Sequence, residues 1–152
     1  MHSISFREGF KLVGFHSRRF QMDVMETWEK LRSEKGKLDS LVKFDASFGI
    51  SHTNLNGEFH YFAGYLLNNR EASVPEYFEV LSIERNRYAI FTHKGHASDI
   101  IKTKDKIWSE WLPGMEVNPI LNSFVIERFD YRFNELGNAN SEMEIWIPIE
   151  AG

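Results

Sequence analysis

The sequence predicts an α+β fold of two βαββ units related by a pseudo-twofold axis, with antiparallel sheets around a central ligand groove and helices on the opposite face. Three observations predict it. The aromatic opening at residues 10–15 returns in similar form at residues 86–91. Each opening is followed by a helical segment with a central tryptophan, Trp28 and then Trp108. A segment beginning Ser-Phe and a final aromatic strand close each half.

Composition bounds the class of protein. The 152 residues are 42% hydrophobic and 14% aromatic, which suits one domain with a substantial core. We predict a single domain over residues 1–152, with repeat 1 at about 6–68, a linker at about 69–76 and repeat 2 at about 77–150. Cysteine is absent, so disulfides, a thiol nucleophile and a thiolate metal site are excluded.

Charge and hydropathy argue against nucleic acid and membrane as binding partners. The formal net charge is −4 and the pI is near 5.9, whereas nucleic-acid modules usually carry a basic face. No run approaches the roughly 18 apolar residues of a membrane span, and the first residues lack a signal peptide's apolar core. We therefore expect a cytoplasmic protein that contacts neither nucleic acid nor membrane directly.

The first unit begins with a strand at residues 10–17. Asp23 predicts an N-cap for a helix from residue 24 to about 35, where Val24, Trp28 and Leu31 form one apolar stripe. Residues 46–52 and 58–67 predict a hairpin, and the turn is the Asn-Leu-Asn-Gly segment at 54–57.

The second unit follows an extra strand at residues 77–83. Its first core strand is 87–93, and Ser98 predicts the N-cap of a helix over 99–112, whose apolar stripe is broken only by Lys104. Pro113 and Gly114 end that helix. A closing hairpin pairs residues 125–133 with 143–149 around the loop 134–141.

Alternation along the strand at 124–130 places Glu127 between Val125 and Phe129 on one face. A carboxylate among apolar neighbours must be paired, hydrated or neutralised, because an unpaired buried charge is costly. Glu127 is therefore either the anchor of a ligand cation or one half of a salt bridge to a nearby Arg or Lys.

The last strand places Trp146 on the same face as Glu142, Glu144 and Glu150, opposite a uniformly aliphatic face. An aromatic ring beside a carboxylate attracts a cation through both its quadrupole and the negative charge. Trp146 and Glu144 are therefore candidate ligand contacts. The alternative is a Trp covered by a loop or by a dimer partner.

Tyr61 and Tyr65 share one face of the strand at 59–67, where they offer a ligand ring surfaces and hydroxyl groups. They serve equally well as ordinary core residues. Other chemistry is weakly indicated: His93 and His96 lack the spacing of a metal motif, and no element positions a serine nucleophile. We expect no metal, no cofactor and no assigned catalytic residue.

The chain resembles the effector-binding domain family that includes DNA-gyrase-inhibitor-like proteins and the ligand domains of AraC-type and MerR-type multidrug-responsive regulators. The pieces that carry the resemblance follow in order along nearly the whole chain. They are Tyr-Phe-Ala-Gly at 61–64, Tyr-Ala-Ile-Phe-Thr-His-Lys-Gly at 88–95, Ile-Trp-Ser-Glu-Trp-Leu-Pro at 107–113, Phe-Val-Ile-Glu-Arg-Phe-Asp at 124–130 and Glu-Ile-Trp-Ile-Pro-Ile at 144–149.

The resemblance implies the paired βαββ fold and a groove for amphipathic, often cationic aromatic compounds, with a glutamate at the position of Glu127. Our main hypothesis is a stand-alone binder of such compounds, linked to transcription regulation, that also has a protein partner or forms a homodimer. In it Glu127 anchors the cation, Trp146, Tyr61 and Tyr65 form stacking walls, and Glu144 is a second acidic contact.

Two other hypotheses remain open. One is a hydrolase of reactive toxins in which Glu127 or Glu144 activates water. The other is a protein-interaction or inhibitor module, which predicts Trp146 in a flat exposed patch.

Overall fold

The computed structural model describes residues 2–17, 23–54, 56–121, 123–134 and 139–151. Over these residues eight strands form one antiparallel sheet in the order β1-β6-β8-β7-β3-β4-β2-β5. The α+β class that the sequence predicts is confirmed, and the predicted antiparallel sheets are joined into one. The strands are β1 (His2–Arg7), β2 (Phe10–Ser17), β3 (Val42–Thr53), β4 (Phe59–Leu67), β5 (Glu79–Ile83), β6 (Asn86–Lys94), β7 (Val125–Asp130) and β8 (Glu142–Ile149).

The strand order is symmetrical about the junction between β3 and β7. On one side stand β4, β2 and β5, and on the other stand β8, β6 and β1. The strand that precedes each unit pairs with the other unit, because β1 pairs with β6 and β5 pairs with β2. The exchange ties the halves into one sheet. The sequence predicts the extra strand β5 but does not predict β1.

Both helical segments pack on the same face of the sheet, which we call the helix face. Helix α1 (Asp23–Glu34) packs against β2 and β4. Its Leu31 packs with Val13, Phe15, Tyr61 and Ala63 of the sheet. The second helical segment contributes Ile107 and Leu112 to a separate cluster with Phe91, Met143 and Ile145 of the sheet.

The opposite face, the helix-free face, has a core of its own because the sheet curls strongly. Three strands separate β2 from β8, yet the ring centroids of Phe10 and Trp146 are only 6.5 Å apart. The core on this face contains Leu12, Ala46, Phe48, Ile50, Phe62, Ile83, Tyr88, Ile90, Ile126 and Trp146.

The second helical segment is composite rather than one α-helix. A 3₁₀ turn (Ala97–Asp99) leads into α2 (Ile100–Lys106), then a π-helical turn (Ile107–Trp111) and a final turn (Leu112–Gly114). Ile107 and Leu112, five residues apart, are both buried, and the i to i+5 spacing of a π turn places them on one side. The predicted cap at Ser98 is wrong, because Ser98 lies inside the 3₁₀ turn and no side-chain cap hydrogen bond is present there.

The turn of the β3–β4 hairpin lies where the sequence predicts it, at residues 54–57. In the β3–β4 hairpin, the Asn54 Oδ1 accepts hydrogen bonds from the backbone N–H groups of Asn56 and Glu58, and Gly57 has φ 83°. Leu55 of that turn, the side chain of the predicted cap Asp23 and residues 135–138 of the predicted loop lie outside the described part of the chain.

Candidate functional site

Glu127 lies on the helix face at the centre of the sheet. The sequence instead predicts a ligand groove on the face opposite the helices, so the position of the groove relative to the helices is corrected here. On β7 Glu127 stands directly opposite Gly49 of β3, at the junction of the two units. An ideal Cβ at Gly49 would collide with the Tyr61 hydroxyl and would lie 2.9 Å from Glu127 Oε1. The missing side chain therefore makes room for a tyrosine and a carboxylate to meet over the middle of the sheet.

Four side chains from four elements form one hydrogen-bonded series here, which we call the polar chain: Trp28, Tyr61, Glu127 and Lys104. The Trp28 indole N–H donates to the Tyr61 hydroxyl at 3.2 Å, and that hydroxyl donates to Glu127 Oε1 at 2.8 Å. The Lys104 ammonium donates to Glu127 Oε2, also at 2.8 Å. The polar chain thus connects α1 to α2 through side chains of β4 and β7.

Within the polar chain, the Glu127 carboxylate is buried, whereas the Lys104 side chain is partly exposed. The Glu127 side chain is 9% exposed, whereas the Lys104 side chain is 32% exposed. None of the seven residues of α2, all of them described, is buried. The structure therefore contains the salt bridge that was the alternative interpretation of Glu127. Its cation, Lys104, belongs to α2, a helix without buried residues.

The environment holds Tyr61 in its neutral form. Burial raises the pKa of the Tyr61 hydroxyl well above its usual value, and the negative charge and hydrogen bond of Glu127 raise it further. Tyr61 is thus a fixed proton donor to Glu127.

Aromatic rings surround the polar chain. Trp28 packs edge-on against Tyr61 and Phe129, with ring centroids 6.3 and 5.7 Å apart. Phe59 stacks on Tyr61 at 6.3 Å, and Phe133 packs on Phe129 at 4.7 Å. A buried carboxylate enclosed by rings from both units is a suitable place for a lipophilic cation.

The structure separates the five predicted contacts into two groups. Glu127 pairs with Ile145 across the β7–β8 ladder, and opposite residues of a ladder share a face. Glu144 and Trp146, each next to Ile145, therefore lie on the helix-free face. The hypothesis that Glu144 and Trp146 contact the same ligand as Glu127 does not fit this register.

Trp146 and Glu144 have structural partners on that face. Trp146 is only 5% exposed, so the flat exposed patch predicted for an interaction module is absent there. Its indole N–H donates to Glu144 Oε1 at 3.0 Å, and the Arg7 guanidinium lies 5.1 Å from its ring centroid. Tyr65 is on the helix face in the core under α1, with its ring 4.9 Å from that of Phe44.

An ion network lies where β7 ends and β8 begins. Arg128 and Arg132 both donate to Asp130, at 2.7 and 2.9 Å, and Arg132 also reaches Glu144 at 3.2 Å. Burial of Asp130 opposes its ionisation, but the hydrogen bonds from Arg132 and Arg128 outweigh this effect and lower its pKa to about 2. A lowered folded-state pKa stabilises the fold above the unfolded value, near 3.8, and that stability is lost as the pH falls towards 2.

We therefore expect Asp130→Asn to reduce stability at neutral pH, and the difference between parent and variant to shrink between about pH 4 and pH 2. Urea unfolding at pH 7, 4, 3 and 2.5 measures this difference. Asp105→Asn, at an exposed carboxylate of α2, is the control and should differ from the parent by the same small amount throughout. A pH-independent effect of Asp130→Asn would contradict the assignment.

The sequence predictions did not include Lys104, Trp28 or Gly49 among the site residues. A signal for Lys104 is present, because it is the single charge that breaks the apolar stripe of its helix. Trp28 is visible only as a core residue, and the role of Gly49 depends on cross-strand register. Within the described residues no cluster of His, Cys, Asp or Glu suits a metal ion, and no helix is long and apolar enough to cross a bilayer.

Comparison with known proteins agrees with this architecture. Residues 3–149 match the family described as integron-associated effector binding protein. The transcriptional regulator BrlR of Pseudomonas aeruginosa is 31% identical over 124 residues, which are 82% of this chain and 45% of BrlR. The chain thus spans less than half the length of that relative.

Two solved structures share the fold. SAV2435 bound to tetraphenylphosphonium superposes with a TM-score of 0.75 at 14% identity, over 99% of this chain and 94% of that one. An integron cassette protein from the mobile metagenome of Vibrio cholerae gives a TM-score of 0.58 at 16% identity, over 98% of this chain and 95% of that one. At these identities the likeness shows the fold alone.

Proposed function

This chain belongs to the family of integron-associated effector-binding proteins, and on that premise we propose that it binds a lipophilic aromatic cation at Glu127, between its two helical segments. One observation carries the proposal: a buried carboxylate stands at the junction of the two units, enclosed by aromatic rings, and its counter-ion is a partly exposed lysine. A cation without hydrogen-bond donors is held there by the charge and by the ring faces.

Lys104 occupies the place that the ligand's charge would take. Glu127 Oε2 accepts a hydrogen bond from the Lys104 ammonium, because a buried carboxylate without a cation is costly. Binding then exchanges one cation for another. Lys104 can return to water, since its side chain is already 32% exposed. Tyr61 keeps its hydrogen bond to Oε1 throughout the exchange.

The related proteins support the ligand class and the biological setting. SAV2435 was solved with tetraphenylphosphonium, an aromatic cation, and BrlR is a transcriptional regulator. We therefore propose that this chain senses such a cation for a regulator of transcription in the cytoplasm, with a protein partner or a second copy of itself to pass the signal on.

Calorimetric titration with tetraphenylphosphonium, a cation of this class, tests the proposal. We expect saturable binding with one site per chain, and a melting temperature that rises with ligand concentration. A flat titration and an unchanged melting temperature would contradict it.

The exchange predicts that Lys104→Met raises the affinity for tetraphenylphosphonium by about 3–30-fold, because the ligand no longer competes with an internal cation. The same variant should melt at a lower temperature without ligand, since Glu127 has lost its counter-ion. Titration calorimetry and thermal melting measure the two effects.

Lys106→Met is the matched control. Lys106 is exposed on the same helix, and two residues along an α-helix the side chains do not face each other. Its removal should change neither quantity. Equal or weaker binding in Lys104→Met would show that Lys104 does not occupy the ligand's place.

A further inference from the structure

A cavity of about 660 Å³ opens on the helix-free face, away from Glu127. Pockets for small organic molecules usually measure roughly 300–1,000 Å³. The apolar lining is continuous with the core of that face and consists of Ile50, Phe62, Leu81, Ile83 and Phe124. Tyr61, a member of the polar chain, also lines the cavity.

The polar lining is rich in imidazole. His52 and His60 stand opposite each other in the β3–β4 ladder, with their rings stacked 6.4 Å apart. His16 packs edge-on against Phe62 at 4.8 Å. Its ring Nδ1 and its backbone N–H contact the two carboxylate oxygens of Glu79 at 3.1 and 2.8 Å.

Arg85 and Glu84 complete the charged lining. The lining thus contains one guanidinium and three imidazoles against one carboxylate, while Glu79 is engaged with His16. Such a set offers imidazole and guanidinium N–H donors to an incoming acceptor group. The site on the helix face instead presents a carboxylate.

We propose that this cavity is a second small-molecule site and that it takes an amphipathic anion, namely an aromatic ring system with a carboxylate or sulfonate group. The rings pack on the apolar lining, and the acidic group contacts the imidazoles and Arg85. The two faces of the sheet then bind ligands of opposite charge. This site does not depend on cation binding at Glu127.

Titration with 8-anilinonaphthalene-1-sulfonate, followed by its fluorescence, tests the proposal. Leu81→Glu places a negative charge in the lining and should weaken binding at least about tenfold. Val80→Glu makes the same change on the adjacent residue, which is 44% exposed and points to the other face, and should leave affinity within about twofold. Leu81→Gln should lose less than Leu81→Glu, because it adds no charge.

Each variant is first shown to melt cooperatively, and Glu127→Gln is titrated alongside. Three results would each overturn the second site. They are an unchanged affinity for the fluorescent anion in Leu81→Glu, an equal loss of affinity in Val80→Glu, and a loss of affinity in Glu127→Gln. Failure of tetraphenylphosphonium to bind would contradict the proposed function and leave this result unaffected.

Discussion

Gly49→Ala should destabilise the protein by about 2–4 kcal/mol and should weaken tetraphenylphosphonium binding at least tenfold. The added methyl group collides with the Tyr61 hydroxyl and crowds Glu127 Oε1. Tyr61 must then move off the carboxylate, which breaks a buried hydrogen bond and displaces a ring that is packed against Trp28. Urea unfolding and calorimetry measure the two losses.

Gly36→Ala is the matched control, because a Cβ at Gly36 meets no atom within 4 Å and its backbone suits any residue. It should leave both quantities near those of the parent. If Gly49→Ala were as stable as Gly36→Ala, the contact of Tyr61 with Glu127 over Gly49 would not be a structural requirement.

Glu127→Gln should reduce the affinity for tetraphenylphosphonium by about 10–100-fold, which corresponds to about 1–3 kcal/mol. The amide preserves the shape of the side chain and can still accept the Tyr61 hydrogen bond, so the loss reports the negative charge. Titration calorimetry at low salt measures it.

Glu144→Gln is the control for that experiment and also decides between two placements of the acidic contact. The sequence places Glu144 with Glu127, whereas the structure directs it to the helix-free face, where it contacts Arg132 and Trp146. We expect no change in the affinity for the cation. Equal losses in both variants would restore Glu144 as a ligand contact and contradict the two-face arrangement.

Most of the fold follows from local patterns, because periodicity and turn residues mark the core strands, the first helix and the β3–β4 hairpin. Strand β2 matches its predicted bounds. Strand β1 was not predicted because nearly all of its residues are exposed. Its partner β6 begins at Asn86, so no nearby residue indicates the pairing. The π turn likewise depends on packing against the sheet.

The sequence predicts part of the candidate site. It shows which residues of one strand share a face, but it does not show how neighbouring strands are aligned. Alternation within β7 identifies Glu127 as a carboxylate with apolar neighbours, and it is buried as expected. Alternation cannot show which faces of two strands coincide. That depends on the register, which pairs Glu127 with Ile145 rather than with Glu144 or Trp146. The sequence marks Lys104 as a charge in an apolar stripe, but it does not show that Lys104 pairs with Glu127.

The most direct measurement of the central claim is a crystal structure with tetraphenylarsonium, in which anomalous scattering locates the arsenic atom. We expect one strong peak on the helix face, roughly 4–6 Å from the Glu127 carboxylate, as charge pairing without hydrogen bonds requires, with the Lys104 ammonium withdrawn into solvent. A peak on the helix-free face, with Lys104 still bonded to Glu127, would contradict the account.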